Sequence, residues 1–296
     1  MTARILRGCV LLTPLALVVA LVPPVAARTQ AATTKSVFVT VVDANGKPVK
    51  DLPANEFRVT EDNAIREIVE IKPAKAPLYV ALLGDTTRTA IDFVTDIRQS
   101  LVAFIKQVHG TNPEAQISLQ EFGQASMTIV PYTTKTADLE KAAGRIMPKA
   151  NAPSVLLEAL METTKTLQKK PSPRRAIVVL NMEPGEESSR EQPNAIMTEL
   201  RKSSASLWSV SLQKGQLKNE ARGLVLDGLV KNSGGHREFI VGQSAIMEIL
   251  KNYADCLNAQ YEITYKRPAS TKAETMLVIT RPALGYKVYG GLFAPQ

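Results

Sequence analysis

An aspartate and two threonines stand at alternate positions directly after an apolar stretch, at Asp85, Thr87 and Thr89. A hard divalent cation such as Mg²⁺ prefers oxygen ligands in octahedral geometry and usually keeps some of its waters. One carboxylate and two hydroxyls can hold such an ion and leave a coordination position open, which a partner's carboxylate can fill. The pattern therefore predicts a site for Mg²⁺ or Mn²⁺ that a binding partner completes.

The same three residues also have a purely structural interpretation. Aspartate and threonine are favoured in turns and at the first position before a helix, where their side-chain oxygens accept hydrogen bonds from backbone N–H groups. A helix is predicted to follow from Ile91. Asp85, Thr87 and Thr89 can therefore shape this loop without binding an ion, and both interpretations stay open at this point.

The elements around this loop predict an α/β domain over residues 75–257. The run Leu78–Leu83 is apolar throughout, as expected of a strand that is buried on both faces, and Ile91–Val108 carries its apolar residues on one helical face. Apolar strands then alternate with amphipathic helices as far as Leu257. This alternation predicts a Rossmann-like, mostly parallel sheet flanked by helices, in which the hairpin Ile117–Val130 forms an antiparallel edge.

Both ends of this domain are flanked by short strand patterns without helices, at residues 35–74 and 258–292. Two or three isolated strands are marginally stable alone, whereas chain termini often lie close together. We therefore expect the two segments to pair into one small antiparallel β-module, into which the α/β domain is inserted.

The alternate Asp-x-Thr-x-Thr spacing resembles the metal-ion-dependent adhesion site of the von Willebrand factor type A family, which opens with Asp-x-Ser-x-Ser. The stretch Asn151–Leu160 is similar to the family's second element and places Ser154 at the family's threonine position. At the third element Met182 falls where the family has an aspartate, and Glu183 is the best substitute. The resemblance thus implies a Mg²⁺ or Mn²⁺ site built from Asp85, Thr87, Thr89, Ser154 and Glu183.

The resemblance extends over most of the chain. Leu229–His236 looks like the family's late Thr-Gly-Gly turn, and the tail Gly285–Val288 is similar to that of the secreted bacterial VWFA-related proteins, which are abundant in Acidobacteria. Membership implies the von Willebrand factor type A fold. It implies no particular activity, because that group of proteins is defined by its domain content.

Residues 1–27 have the features of a cleavable signal peptide. Arg4 and Arg7 precede the apolar stretch Val10–Val22, and small residues follow at Val25–Ala27. About 13 apolar residues are fewer than the roughly 20 that cross a bilayer, although an uncleaved anchor is the alternative. We expect an exported protein, periplasmic or extracellular, without a stable transmembrane segment. Its remaining cysteine, Cys256, is predicted to be a small buried side chain.

Composition and motifs argue against catalysis and against nucleic acid as a partner. The net charge is +8, but the basic residues are dispersed and no aromatic-rich basic patch accompanies them. Neither His109 nor His236 belongs to a recognisable nucleophile motif, and no phosphate-binding glycine loop is present. We interpret the acidic cluster Glu183, Glu186 and Glu187 as a solvated loop rather than as an acid–base pair.

Together these features predict an exported binding or adhesion module that captures a protein or cell-surface partner at the loops carrying Asp85, Ser154 and Glu183. Two alternatives stay open. One is a metal-independent structural or assembly module of the cell envelope, and the other is attachment to an anionic surface polymer through scattered lysines and arginines.

Overall fold

A computed structural model describes residues 32–183, 187–213 and 220–295, so the predicted signal peptide lies outside the described residues. The strands are β1 (Ala32–Val42), β2 (Phe57–Glu61), β3 (Ala64–Arg66), β4 (Ile68–Pro73), β5 (Tyr79–Asp85), β6 (Gln116–Phe122), β7 (Ser126–Thr133), β8 (Arg175–Glu183), β9 (Ser206–Gln213), β10 (Arg237–Ile240), β11 (Tyr261–Pro268), β12 (Met276–Thr280) and β13 (Lys287–Tyr289). The helices are α1 (Val94–Thr111), α2 (Thr136–Ala143), α3 (Leu156–Gln168), α4 (Pro193–Ser203), α5 (Glu220–Ser233) and α6 (Ile246–Asn258). Within the described residues, no helix is both long and apolar enough to cross a membrane.

The centre of the molecule is a six-stranded sheet in the order β10-β9-β8-β5-β6-β7. Strand β5 pairs in parallel with β6 on one side and with β8 on the other, so the apolar run from Leu78 forms the start of a central strand, as predicted. Only β7 runs antiparallel to its neighbour, and it lies at the edge. This confirms the mostly parallel sheet with an antiparallel hairpin at its border.

Strand β5 is apolar as far as Leu83 because helices cover both faces of the sheet. Its side chains alternate between two cores: Val80 and Leu82 pack into a core with α1 and α6, and Ala81 and Leu83 pack into a core with α3, α4 and α5. All four are 0% exposed. A one-residue shift of its register would break the parallel pairing with β6 and β8 and move each of these side chains into the opposite core, so the position of its carboxyl end is fixed.

The two terminal segments form the predicted antiparallel β-module, and they do so as two sheets, β13-β1-β11-β4 and β12-β2-β3. Each sheet contains strands from both ends of the chain, with β1 paired to β11 and β2 paired to β12. The strand pattern at Ile65–Ile71 is interrupted in the structure. The chain leaves the strand at Glu67, so that β3 and β4 lie in different sheets.

A buried arginine joins this β-module to the α/β domain. Arg174, which is 3% exposed, precedes β8 and donates hydrogen bonds to the carbonyl oxygens of Ala74 and Ala76 before β5. It also donates to the carbonyl of Leu257 in the last turn of α6 and to the side chain of Gln260 after that helix. One guanidinium therefore holds both connections between the two parts, and burial lowers its pKa to about 10.

Within the β-module, Glu61 is a fully buried carboxylate with several donors around it. Arg267 and Tyr265 donate hydrogen bonds to it, and Arg66 does so at 2.9 Å. Burial raises the pKa of Glu61, but the hydrogen bonds from Arg267, Tyr265 and Arg66 outweigh it and hold the pKa below its usual value. The two ends of the chain are thus joined by an ionic cluster as well as by strand pairing.

Replacing Glu61 by glutamine is expected to lower the free energy of unfolding at pH 7 by about 2 kcal/mol, because a buried charge pair loses one partner. A carboxylate whose pKa is lowered by folding stabilises the protein above pH 4.5, and that contribution disappears as the pH falls through the lowered pKa. The difference between native and Glu61→Gln should therefore narrow below about pH 4.5 in urea unfolding. Glu67→Gln, at an exposed ion pair with Lys266, is the control. A difference that stays constant or widens in acid would contradict this explanation.

Candidate functional site

The candidate site lies at the carboxyl ends of the central strands, where open α/β sheets bind their ligands. Asp85 is the last residue of β5 and is 0% exposed. One of its carboxylate oxygens accepts the backbone N–H of Thr87 at 2.8 Å, and the other accepts that of Met182 at 2.7 Å. Burial raises the pKa of Asp85, while its hydrogen bonds with Thr87 and Met182 act in the opposite direction.

The two predicted threonine ligands differ in their surroundings. Thr87 is 3% exposed, and its side chain lies against Asp85, where its hydrogen bond helps to lower the pKa of that carboxyl. Thr89 is partly exposed and lies in the short 3-10 segment Arg88–Phe93 that leads into α1. Among the predicted hydroxyl ligands, the hydroxyl of Thr87 is buried beside Asp85 and would suit an ion bound next to that carboxylate.

Backbone hydrogen bonds join three loops into one surface at this end of the sheet. We call residues 85–90, 149–154 and 187–190 the rim loops. The N–H of Arg88 donates to the carbonyl of Ala152 at 3.1 Å, and the N–H of Lys149 donates to that of Thr86 at 3.0 Å. The N–H of Ser188 donates to the carbonyl of Ser154 at 2.7 Å. The loops that sequence analysis placed together are therefore adjacent.

Ser154 is 1% exposed, and its hydroxyl donates to the carboxylate of Glu187 at 3.0 Å. The same hydroxyl accepts the N–H of Leu156, the first residue of α3. Glu187 and Ser189 accept the next two N–H groups of the helix. The loop after β8 thus caps the helix, which satisfies N–H groups that have no partner within it. The carboxylate beside Ser154 is Glu187, and sequence analysis had assigned this third element to Glu183.

Glu183 is 1% exposed and is engaged by an ion pair and by an amide. It accepts hydrogen bonds from the guanidinium of Arg222 at 2.7 Å and from the side chain of Asn181 at 2.8 Å, and Arg237 lies 3.6 Å away. The interpretation of the acidic cluster as a solvated loop is wrong for Glu183 and for Glu187, whose side chain is 8% exposed. That interpretation failed because the cation that compensates the two carboxylates, Arg222, comes from a helix distant in the sequence. Glu186 lies outside the described residues.

Arg222, in the first turn of α5, is the residue that sequence analysis missed. Its guanidinium donates to Glu183 and, at 2.9 Å, to the carbonyl of Met182, and it lies 3.5 Å from Glu187. It is also near enough to Asp85 to lower the pKa of that carboxyl. The stretch around Arg222 carries no motif. The sign of its role that the sequence offers is the position of a cation near the amino end of a helix. A buried cation in the first turn of a helix opposes the helix dipole and requires carboxylates nearby.

The predicted metal ligands do not fit a divalent cation in this arrangement. Both oxygens of Asp85, both oxygens of Glu183 and the hydroxyl of Ser154 already have protein partners. The described residues contain no group of three or more His, Cys, Asp or Glu side chains placed to hold a metal ion. The hydroxyl of Thr87, which is buried beside Asp85, is the one feature in favour. A guanidinium occupies the centre of the acidic groups instead.

The charged side chains exposed by the rim loops, within the part of the chain that the structure describes, are all basic. They are Arg88, Lys149 and Arg190. The acidic side chains below them, Asp85 and Glu187, are buried or nearly so. The surface that a partner meets at the described rim loops is therefore cationic without a bound metal.

No sequence model of a protein family matches the chain, and no curated protein matches it. Solved structures are nevertheless similar. A von Willebrand factor type A protein from Catenulispora acidiphila aligns with a TM-score of 0.51 and 8% identity over 87% of this chain and 74% of that chain. Proximal thread matrix protein 1 from the mussel byssus aligns with a TM-score of 0.50 and 12% identity over 72% of this chain, which spans 51% of the other.

At such low identities the similarity shows the fold alone. The chain has the von Willebrand factor type A fold, with its central sheet between two layers of helices and a smaller β-module built from both termini. This confirms the fold that the Asp-x-Thr-x-Thr resemblance implied.

Proposed function

We propose that this von Willebrand factor type A chain is an exported, non-catalytic binding module that captures an acidic protein partner through its rim loops. The observation that carries the proposal is the joining of the three rim loops by backbone hydrogen bonds into one surface that exposes Arg88, Lys149 and Arg190. Such a surface lies where this class of sheet binds ligands, and its charge favours carboxylates.

The surroundings of the candidate nucleophiles and bases support a non-catalytic role. Cys256 is fully buried, and burial raises the pKa of its thiol to about 12. His109 is buried between the hydroxyl of Thr136 and the carbonyl of Ala115. His236 stacks on Tyr289, with ring centroids 4.8 Å apart. Cys256 and His109 thus contribute to packing, whereas His236 also contacts the carboxylate of Glu238, with 2.8 Å between Nε2 and Oε1.

A protein partner agrees better with the geometry than a flexible surface polymer does. The rim loops are held by backbone hydrogen bonds between 2.7 and 3.1 Å, so they present their charges in a fixed arrangement. A fixed arrangement suits a folded partner, whose carboxylates are also fixed, because little conformational freedom is then lost on binding. An anionic envelope polymer is the alternative partner, and metal-bridged capture through Asp85 is the alternative mechanism.

Reversing the rim charges is expected to weaken capture of the partner about tenfold, since exposed ion pairs contribute up to about 1 kcal/mol each. The experiment immobilises native chain and the triple variant Arg88→Glu, Lys149→Glu, Arg190→Glu, and compares proteins retained from the exported fraction of the producing cells. Each capture is repeated with a chelator. We expect the partner to be lost from the triple variant and unaffected by the chelator.

The matched control reverses three exposed lysines outside the rim loops, Lys50, Lys231 and Lys272. It changes the net charge by the same amount as the rim variant, so it separates a local effect from a general one. Equal losses in both variants would indicate diffuse attachment to an anionic polymer. If the chelator releases the partner from the native chain, that result would support metal-bridged capture and contradict the proposal.

A further inference from the structure

Three acidic side chains, Asp85, Glu183 and Glu187, lie buried or nearly buried behind the rim loops. Burying carboxylates in a medium of low polarity is costly unless each is paired with a positive charge or accepts hydrogen bonds. In many binding proteins a divalent metal ion supplies that charge. Here a side chain of the same chain lies among the three.

We propose that the guanidinium of Arg222 is a built-in cation, which takes the place of a divalent metal and holds the rim loops together without one. This inference concerns how the rim is assembled, and it does not depend on which partner the rim binds. It predicts a native rim that is complete in the absence of metal and that Mg²⁺ and Mn²⁺ leave unchanged.

The contacts of Arg222 involve two nitrogens of its guanidinium, because Nη2 donates both hydrogen bonds and Nη1 faces the carboxylate of Glu187. A guanidinium has five N–H donors in a rigid plane and can satisfy several acceptors at once. Arg222 donates to the carboxylate of Glu183 at 2.7 Å and to the carbonyl of Met182 at 2.9 Å, and it lies 3.5 Å from Glu187. Its side chain is 1% exposed, so water contributes little to its solvation.

These contacts connect Arg222 to each rim loop. Met182, whose carbonyl accepts from Arg222, donates its own N–H to Asp85 at the first rim loop. Glu187 in the third rim loop accepts the hydroxyl of Ser154 in the second. The positive charge therefore lies where it stabilises Glu187 in the third rim loop and, through Met182 and Ser154, is linked to the first and second.

Removing the guanidinium should make the rim depend on added cations. We expect Arg222→Ser to lower the melting temperature by roughly 10 °C, because Glu187 loses its cation and Glu183 keeps only the more distant Arg237, at 3.6 Å. The excess negative charge should then attract divalent ions. In millimolar Mn²⁺ the melting temperature of the variant should rise by at least about 4 °C, at constant ionic strength. The native melting temperature should stay within about 1 °C.

Two further variants keep the test decisive. Arg222→Lys retains a positive charge, so it should be less destabilised than Arg222→Ser and should not respond to Mn²⁺. If Arg222→Ser does not fold, Mn²⁺ binding to the native chain and to Asp85→Ala is compared by electron paramagnetic resonance, and no binding should depend on Asp85. Asp85-dependent binding or stabilisation by Mn²⁺ in the native chain would overturn the proposal. A destabilised Arg222→Ser that no cation rescues would give Arg222 a packing role only, and would overturn it as well.

Discussion

Replacing Gly235 by alanine is expected to destabilise the protein by more than about 4 kcal/mol, the upper end of single-residue effects. A Cβ atom at Gly235 would lie 1.8 Å from the carbonyl oxygen of Leu207 in β9, so the backbone itself must move. The neighbouring Gly234 has a φ of +84°, and both N–H groups donate to the carbonyl of Val230 in α5. The turn therefore allows α5 to lie against β9 only because position 235 has no side chain.

The control for this substitution is another glycine of the same region. Gly228 lies in α5, and a Cβ atom there would meet nothing within 4 Å. Gly228→Ala should be neutral or stabilising by up to about 1 kcal/mol, because alanine has the higher helix propensity. Guanidinium chloride unfolding of native chain and of the two variants measures both effects. Similar midpoints for the two variants would show that the close approach at Gly235 does not limit the fold.

Replacing Arg174 by methionine is expected to cost about 4 kcal/mol, because methionine fills a similar volume but donates no hydrogen bond. The carbonyls of Ala74, Ala76 and Leu257 and the side chain of Gln260 would then lose their donor inside the junction. We also expect proteases to cleave the variant faster near these connections, since the β-module and the α/β domain would separate more easily.

Lys169→Met is the matched control for Arg174→Met. Lys169 is exposed and lies five residues earlier in the same connection. The same chemical change there should alter the free energy of unfolding by no more than about 0.5 kcal/mol. Urea unfolding, followed by limited proteolysis under native conditions, measures both quantities. Equal stability of the two variants would show that Arg174 does not join the two parts of the molecule.

The sheet was predictable because burial on both faces leaves a plain signal in the sequence. Leu78–Leu83 is apolar without interruption, and the structure places this stretch in the centre of the sheet. The position of Asp85 at the end of the strand followed directly. The pairing of the two termini was predictable for a different reason, since each set of short strands lacks enough neighbours to be stable alone.

The chemistry around Asp85 was much less predictable than its position. Arg222 is 137 positions further along the chain and carries no motif, so only the fold brings it to the rim. Glu187 was interpreted as solvated because a run of acids after a strand usually is. Its role became visible only with its contacts to Ser154 and to the amino end of α3. Local sequence patterns report strands and turns, whereas ion pairs between distant elements depend on tertiary structure.

A resemblance in sequence can overstate a metal site, because side chains of the right type can bind groups of the protein instead of an ion. Asp85 and Thr87 keep the residue types that suit an ion, yet the carboxylate of Asp85 accepts two backbone N–H groups that hold the loop in shape. A carboxylate used in this way stabilises a rim whether or not a metal is present. The shape of the rim can therefore persist while its positive charge comes from an arginine.

The most direct measurement is a crystal structure of the native chain grown in millimolar Mn²⁺, with anomalous scattering recorded to locate the metal. We expect no anomalous peak beside Asp85, and we expect the guanidinium of Arg222 in density between Glu183 and Glu187, as its present contacts indicate. A Mn²⁺ peak coordinated by Asp85 and Thr87, with Arg222 turned away from the two glutamates, would contradict the built-in cation.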